Sequence, residues 1–156
     1  MSGRPSFVPR YTALLFVALA ALVLPLRAHS APPPGDPTLA VTEWNAIKQV
    51  ISDQRTALKA GDAAKAFAHA APGIRAQFGT PENFLAMVRA AYDALLDARY
   101  TEFLEGAVIE GNVIQPLRLI APDNTVQVAL YTMAKQNDGR WKIAGCVLAP
   151  STVQAA

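Results

Sequence analysis

Four side chains could move a proton: His69, Tyr92, Asp93 and Tyr131. An imidazole or carboxylate with a tuned pKa takes the proton, and a tyrosine hydroxyl steadies the resulting oxyanion. That is the chemistry of a cofactor-free isomerase or lyase. None of the four stands in a motif specific to it. His69 falls on a short helix, where a boundary imidazole is the plainer reading. Tyr92 reads equally well as a core aromatic whose hydroxyl reaches a partner at the rim. Asp93 and Asp97 are four residues apart, but Arg89 one turn earlier offsets them, and a solvated helix face accounts for all three.

Nucleophilic and metal chemistry have fewer members still. Beyond residue 30 the chain has one histidine and two serines, Ser52 and Ser151, with no Gly-x-Ser-x-Gly turn. A Ser-His-Asp triad therefore has little to draw on. Cys146, the single cysteine, can form no intramolecular disulfide, and its alternating strand context favours packing over reactivity. One histidine, one cysteine and dispersed acids suggest no metal site, and no glycine-rich loop is present to cradle a phosphate. Neither a metal nor a cofactor is expected.

A binding role has more support. Gln54, Gln115 and Thr132 are polar positions on stripes that otherwise face inward. Buried side chains of this kind need hydrogen-bond partners. A small ligand or a pocket water between the first helix and the sheet would supply them, as would bonds within the core itself.

The elements that position these residues follow from periodicity. Thr42 can cap a helix in which Trp44, Ile47, Ile51 and Leu58 recur at three- and four-residue steps. Gly61 ends it, and Asp62 can cap a shorter helix over 63–70. Pro72-Gly73 breaks the chain. Thr80-Pro81-Glu82 starts a third helix whose stripe is Phe84, Met87, Val88, Ala91 and Leu95. After Asp97 the period turns towards two, and strands are expected near 100–108, 112–121, 125–136 and 140–148. Asp123-Asn124 and Asn137-Asp138-Gly139 are turn signals between the last three. Pro116 asks for an edge or a bulge. Helices first and strands after mean an α+β domain: three N-terminal helices on a four-stranded antiparallel sheet.

Strand parity predicts one face made of Val113, Leu117, Leu119, Val126, Val128, Leu130, Trp141, Ile143 and Val147, packed on the helices. The other face collects Arg118, Gln127, Ala129, Tyr131, Met133, Lys142, Ala144 and Cys146. A half-apolar second face is read as a homodimer surface, carried by Gln127, Ala129, Tyr131, Met133 and Ala144.

The first thirty residues set the compartment. Arg4 and Arg10 precede an apolar run from Tyr11 to Leu26, and Ala28-His29-Ser30 places small residues at a cleavage site before Ala31. This is the pattern of a secretory signal peptide over 1–30, giving a periplasmic or secreted product with no lasting membrane anchor. Residues 31–41 form a proline-rich tether, 42–149 the single domain and 150–156 a tail. Three of the 14 basic residues lie in the leader, leaving 11 against 12 acidic ones. No basic run remains for a nucleic acid or an anionic membrane surface.

Ala71-Pro72-Gly73-Ile74-Arg75 with Phe78-Gly79, then Phe84, Met87-Val88-Arg89 and Tyr92, carry a resemblance to a family. Tyr131, Asp138-Gly139-Arg140-Trp141 and Gly145-Cys146 complete it. Over Trp44 to Leu148 the chain resembles the exported bacterial family catalogued as domain of unknown function 4864, within the nuclear transport factor two-like, or cystatin-like, superfamily. The resemblance implies a cone in which helices cover a curved sheet, often with an apolar pocket and a sheet-mediated homodimer. It implies no activity. The combined expectation is an exported, non-catalytic module that binds a small apolar ligand or an envelope partner. A cofactor-free isomerase or lyase and a structural envelope component are the alternatives.

Overall fold

The computed structural model describes residues 39–151. The expected leader over 1–30, most of the tether and the end of the tail lie outside them. Helix α1 (Val41–Lys59) turns Ile47, Ile51, Gln54, Ala57 and Leu58 inward at the spacing of one helix face. It starts one residue before Thr42, with Ala40 at the N-cap position and no side-chain cap. Asp62 caps α2 (Ala63–Ala68), its Oδ1 accepting from the Lys65 amide at 3.0 Å. Thr80 caps α4 (Pro81–Ala91), its Oγ1 accepting from the Asn83 amide at 3.2 Å.

Two helices depart from the expected three. Pro72-Gly73 does not break the chain but opens α3 (Pro72–Phe78), because proline at the first helical position loses no intrahelical bond. The expected third helix divides at Tyr92, whose φ of −133° and ψ of 37° separate α4 from α5 (Asp93–Asp97).

The sheet has five strands: β1 (Tyr100–Phe103), β2 (Ala107–Ile109), β3 (Asn112–Ile120), β4 (Val126–Lys135) and β5 (Trp141–Pro150). All pair antiparallel in the order β1-β3-β4-β5, with β2 also on β3. The expected curved, four-stranded cone is therefore corrected. The sheet is open and not strongly curled, and five helices accompany it. Closure would require the two edges to pair. Here one edge is the short β1 and β2, and the other meets the link between α2 and α3 instead. The Ile143 amide donates to the His69 carbonyl at 2.9 Å, and the Ala71 amide to the Ile143 carbonyl at 2.8 Å.

The first expected strand splits because of Pro116. The Leu104 amide donates to the Pro116 carbonyl at 3.1 Å, so Pro116 turns its nitrogen, which has no hydrogen, to the same side. Three residues, Leu104 to Gly106, stand opposite two on β3 in the register between Phe103↔Leu117 and Ala107↔Ile114. The buried Gln115 side chain donates to the Leu104 carbonyl at 2.8 Å and the Pro116 carbonyl at 3.0 Å, supplying a donor where the backbone has none.

Register also corrects the faces. Gln115, Tyr131 and Cys146 align across three strands, as do Leu117, Ala129 and Leu148. Ala129, Tyr131 and Met133 share the main core with Ile47 and Ile51 of α1 and Leu95 of α5, so none can form an exposed dimer face. Gln127 aligns with Leu119 on the same covered side, and Ala144 is exposed at a bulge. In β4 both parities are apolar, so its own alternation could not choose. Pairing with β3, where Val113, Leu117 and Leu119 are unambiguous, decided it. In β5 the register shift opposite Thr132 and Met133 inserts a residue. Beyond it Cys146 turns in and Val147 turns out, 62% exposed.

Glu43 ties the start of α1 to the sheet. The Lys135 ammonium lies 2.8 Å from its Oε1, and the Trp141 indole donates to its Oε2. The Lys135 hydrogen bond and then the indole hold the Glu43 carboxyl below its ordinary value. A depressed carboxyl contributes stability above its unfolded pKa and loses it as pH falls through the folded one. Glu43→Gln should therefore lose less melting temperature than wild type between about pH 5 and about pH 3. Parallel declines would show that this carboxylate is not part of the acid response.

Candidate functional site

The described residues build two apolar clusters. One lies between the sheet, α1 and α5; the other joins the end of α1 with α2 and α4. Ile74 and Tyr92 pack against both. Along this seam lies a pocket of about 420 Å³. Gln54 and Leu58 of α1, Phe84, Met87 and Val88 of α4, Tyr92 and Leu95 form its helical walls. Tyr131 and residues 143–146 form the sheet side, and Ile74, Gln77 and Phe78 of α3 cover it.

α3 is the least buried of these walls. None of its residues is fully buried. It is held by the Ala71–Ile143 backbone bond, by the Asn83 side-chain amide donating to the Phe78 carbonyl at 3.2 Å, by Phe78 edge-on to Phe84 at 5.8 Å, and by the Arg75 guanidinium 5.4 Å from the Phe67 ring centre. Gly79 ends it at φ 72°, a conformation that favours glycine.

The chemistry of the lining is neutral. Among the described residues, no Asp, Glu, Lys, Arg or His lines the pocket. Burial pushes the Cys146 thiol up to about 12, so it stays protonated and acts as an apolar wall. Burial also raises the Tyr131 hydroxyl far above its ordinary value, with Cys146 adding to the shift and Arg55 opposing it. The Tyr92 hydroxyl donates to the Cys146 carbonyl at 3.0 Å, bracing the kink between α4 and α5 against the β5 bulge. The Gln54 amide donates to the Ala66 carbonyl at 3.3 Å.

Of the proton-transfer candidates, the fold brings only Tyr92 and Tyr131 together. His69 sits half-buried at the C-terminal cap of α2, outside the lining, and burial lowers its pKa so that the neutral imidazole prevails. Asp93 is exposed, and its carboxylate accepts from the Ala94 amide at 2.8 Å. Among the described residues, the lining thus contains no carboxylate or imidazole to take a proton. Of the three pocket candidates, Gln54 lines the cavity. Gln115 serves the strand break, and Thr132 lies on the opposite side of the sheet from Tyr131, against Gly145.

Ile74, Phe78, Met87 and Cys146 were not read as pocket residues from sequence. The apolar pair Ile74 and Phe78, four apart between Pro72 and Gly79, was the available sign of a covering helix. Cys146 had no such sign, because a bulge aims it inward.

The helix-free face of the sheet carries Tyr100 and Ile109, 49% and 56% exposed, together with Leu130 and Val147. The Arg118–Glu102 ion pair at 2.8 Å crosses it. Among the described residues no cluster of His, Cys, Asp or Glu could hold a metal ion, and no helix is long and apolar enough to cross a membrane.

A family model described as Domain of unknown function (DUF4864) matches residues 40–156. No curated protein and no solved structure matches the chain.

Proposed function

We propose that this chain, which belongs to the family described as Domain of unknown function (DUF4864), binds a small apolar ligand in the pocket beneath α3. Membership of that family carries no activity with it, so the reading rests on the site. One observation carries it: the pocket joins two apolar clusters, has no charged side chain in its lining, and is covered by a helix with no buried anchor. Pockets of this size and character are the usual form of a small-molecule site. The isomerase or lyase alternative loses support, because His69 and Asp93 both stand outside the lining.

The setting belongs to the same proposal. The leader pattern supports export to the periplasm or beyond. The apolar residues on the helix-free sheet face support a second copy as the partner there. A kinship with the nuclear transport factor two-like superfamily is supported by helices that precede a single antiparallel sheet.

Native mass spectrometry of the full chain recovered from a bacterial periplasm tests all of this. The expected species starts at Ala31, has twice the chain mass and carries an apolar adduct. Met87→Trp, which fills the pocket from α4, should remove the adduct and lower affinity for a neutral fluorescent probe, N-phenylnaphthylamine, by roughly tenfold or more. Equal probe affinity in the variant and wild type would overturn the pocket assignment. A monomer would overturn the second copy and leave the pocket standing.

A further inference from the structure

We propose that the ligand is a neutral apolar molecule with one hydrogen-bond donor, a hydroxyl or N–H group, which it gives to Oε1 of Gln54. The inference rests on the pocket reading above and adds to it the polar group that the ligand must carry. Gln54 lines the pocket from α1 and is 3% exposed. Its side-chain nitrogen donates to the Ala66 carbonyl at 3.3 Å. A carbonyl can only accept, so this bond fixes which end of the amide is nitrogen and leaves the oxygen as the other.

That oxygen is open as well as unpaired. No donor among the described residues reaches it. The unpaired side-chain atoms sealed from solvent are Arg55 Nε, Gln115 Oε1, Gln127 Oε1 and the Tyr131 hydroxyl, and Gln54 Oε1 is not one of them. Gln54 is otherwise buried, and Ala66, which holds its nitrogen, stands outside the lining. The accessible oxygen therefore faces the pocket. The Tyr92 hydroxyl spends its proton on the Cys146 carbonyl and offers none to Gln54.

A ligand that fills the pocket shuts water away from this oxygen. It must then supply the donor itself or leave a buried amide oxygen unpaired, and such groups are nearly always paired. The donor is neutral, because among the described residues no carboxylate lines the pocket to hold an ammonium that has left water. A carboxylate ligand would meet the partial negative charge of the amide oxygen and find no cation in the lining. The cavity has the volume of about fourteen liquid waters, which suits a chain or ring system of about a dozen non-hydrogen atoms.

Three probes separate the possibilities by displacement of N-phenylnaphthylamine from the full chain: 1-octanol, heptyl methyl ether and octanoate. The alcohol and the ether are isomers with one oxygen each, and only the alcohol donates. In wild type the alcohol should bind roughly fivefold tighter than the ether, the net value of one buried hydrogen bond after exchange with water. Octanoate should bind more weakly than the alcohol. Gln54→Met keeps the length of the side chain and removes the acceptor, and should abolish the preference for alcohol over ether. The variant should fold, because the Ala66 carbonyl still accepts from the His69 amide at 3.2 Å. Equal alcohol and ether affinities in wild type would overturn the proposal, and need no variant. So would an alcohol preference that survives in Gln54→Met, or octanoate binding more tightly than the alcohol. Failure of every probe, alcohol and ether alike, to displace the dye would instead overturn the pocket reading itself.

Discussion

Gly106→Ala should destabilise the domain by about 2 kcal/mol, the usual cost of forcing extra volume into a packed contact. A Cβ built on Gly106 would lie 2.3 Å from Cζ3 of Trp44 and 2.7 Å from two further ring atoms. Gly106 occupies the gap between β1 and β2, and Trp44, from the first half of α1, packs against the main core from above it. The indole thus lies against bare backbone, and this contact helps to set where α1 sits on the sheet. The melting temperature should fall by about 10 °C for a domain of this size. A double-mutant cycle with Trp44→Leu isolates the contact. The Gly106→Ala penalty should shrink by about 1 kcal/mol or more in the Trp44→Leu background, as it does for residues in direct contact. A Gly106→Ala protein that melts with wild type would show that the indole stands away from the strand gap in solution.

Gln115→Glu should be costlier still at neutral pH, although the two side chains have nearly the same shape. The Gln115 amide donates to the Leu104 and Pro116 carbonyls from a fully buried position. A carboxylate there would lose both donors, face two carbonyl oxygens and carry a buried charge without a partner. The expected loss is on the order of 3 kcal/mol at neutral pH. Burial would raise the folded pKa of the new carboxyl above its unfolded value. The part due to the charge is absent below about pH 4, where the group is protonated in both states and its single O–H restores one of the two donors, and it grows as pH rises. The variant should therefore be most stable relative to wild type in mild acid. A flat difference across pH would show that the side chain at 115 reaches solvent. Probe binding should be unchanged in Gln115→Leu, since Gln115 does not line the pocket.

Gln115 shows why sequence reading finds such a residue but mistakes its purpose. A glutamine on an apolar stripe announces a buried hydrogen bond. Whether the partner is a ligand or a backbone carbonyl depends on Pro116, whose missing N–H opens a gap only once a particular strand lies opposite. The same holds for β4. Its ten residues are apolar at both parities, so the face that carries Tyr131 was chosen by β3 and not by β4 itself.

The linear chain by itself determined what is local. Helix starts at Asp62 and Thr80 come from side chains that reach an amide three residues on. The last two hairpin turns, at Asn124 with φ 69° and Gly139 with φ 80°, come from residues that tolerate the left-handed region. The α+β order, the inward stripe of α1 and the family follow from the same short-range patterns. Only the tertiary structure decided the faces of β4 and β5, the open sheet and the pocket. A one-residue bulge inverts every side chain beyond it, and a cavity is the space left between elements distant in sequence. Tyr131 and Cys146 face that space because of where β3 and α1 lie, which no periodicity within their own strands encodes.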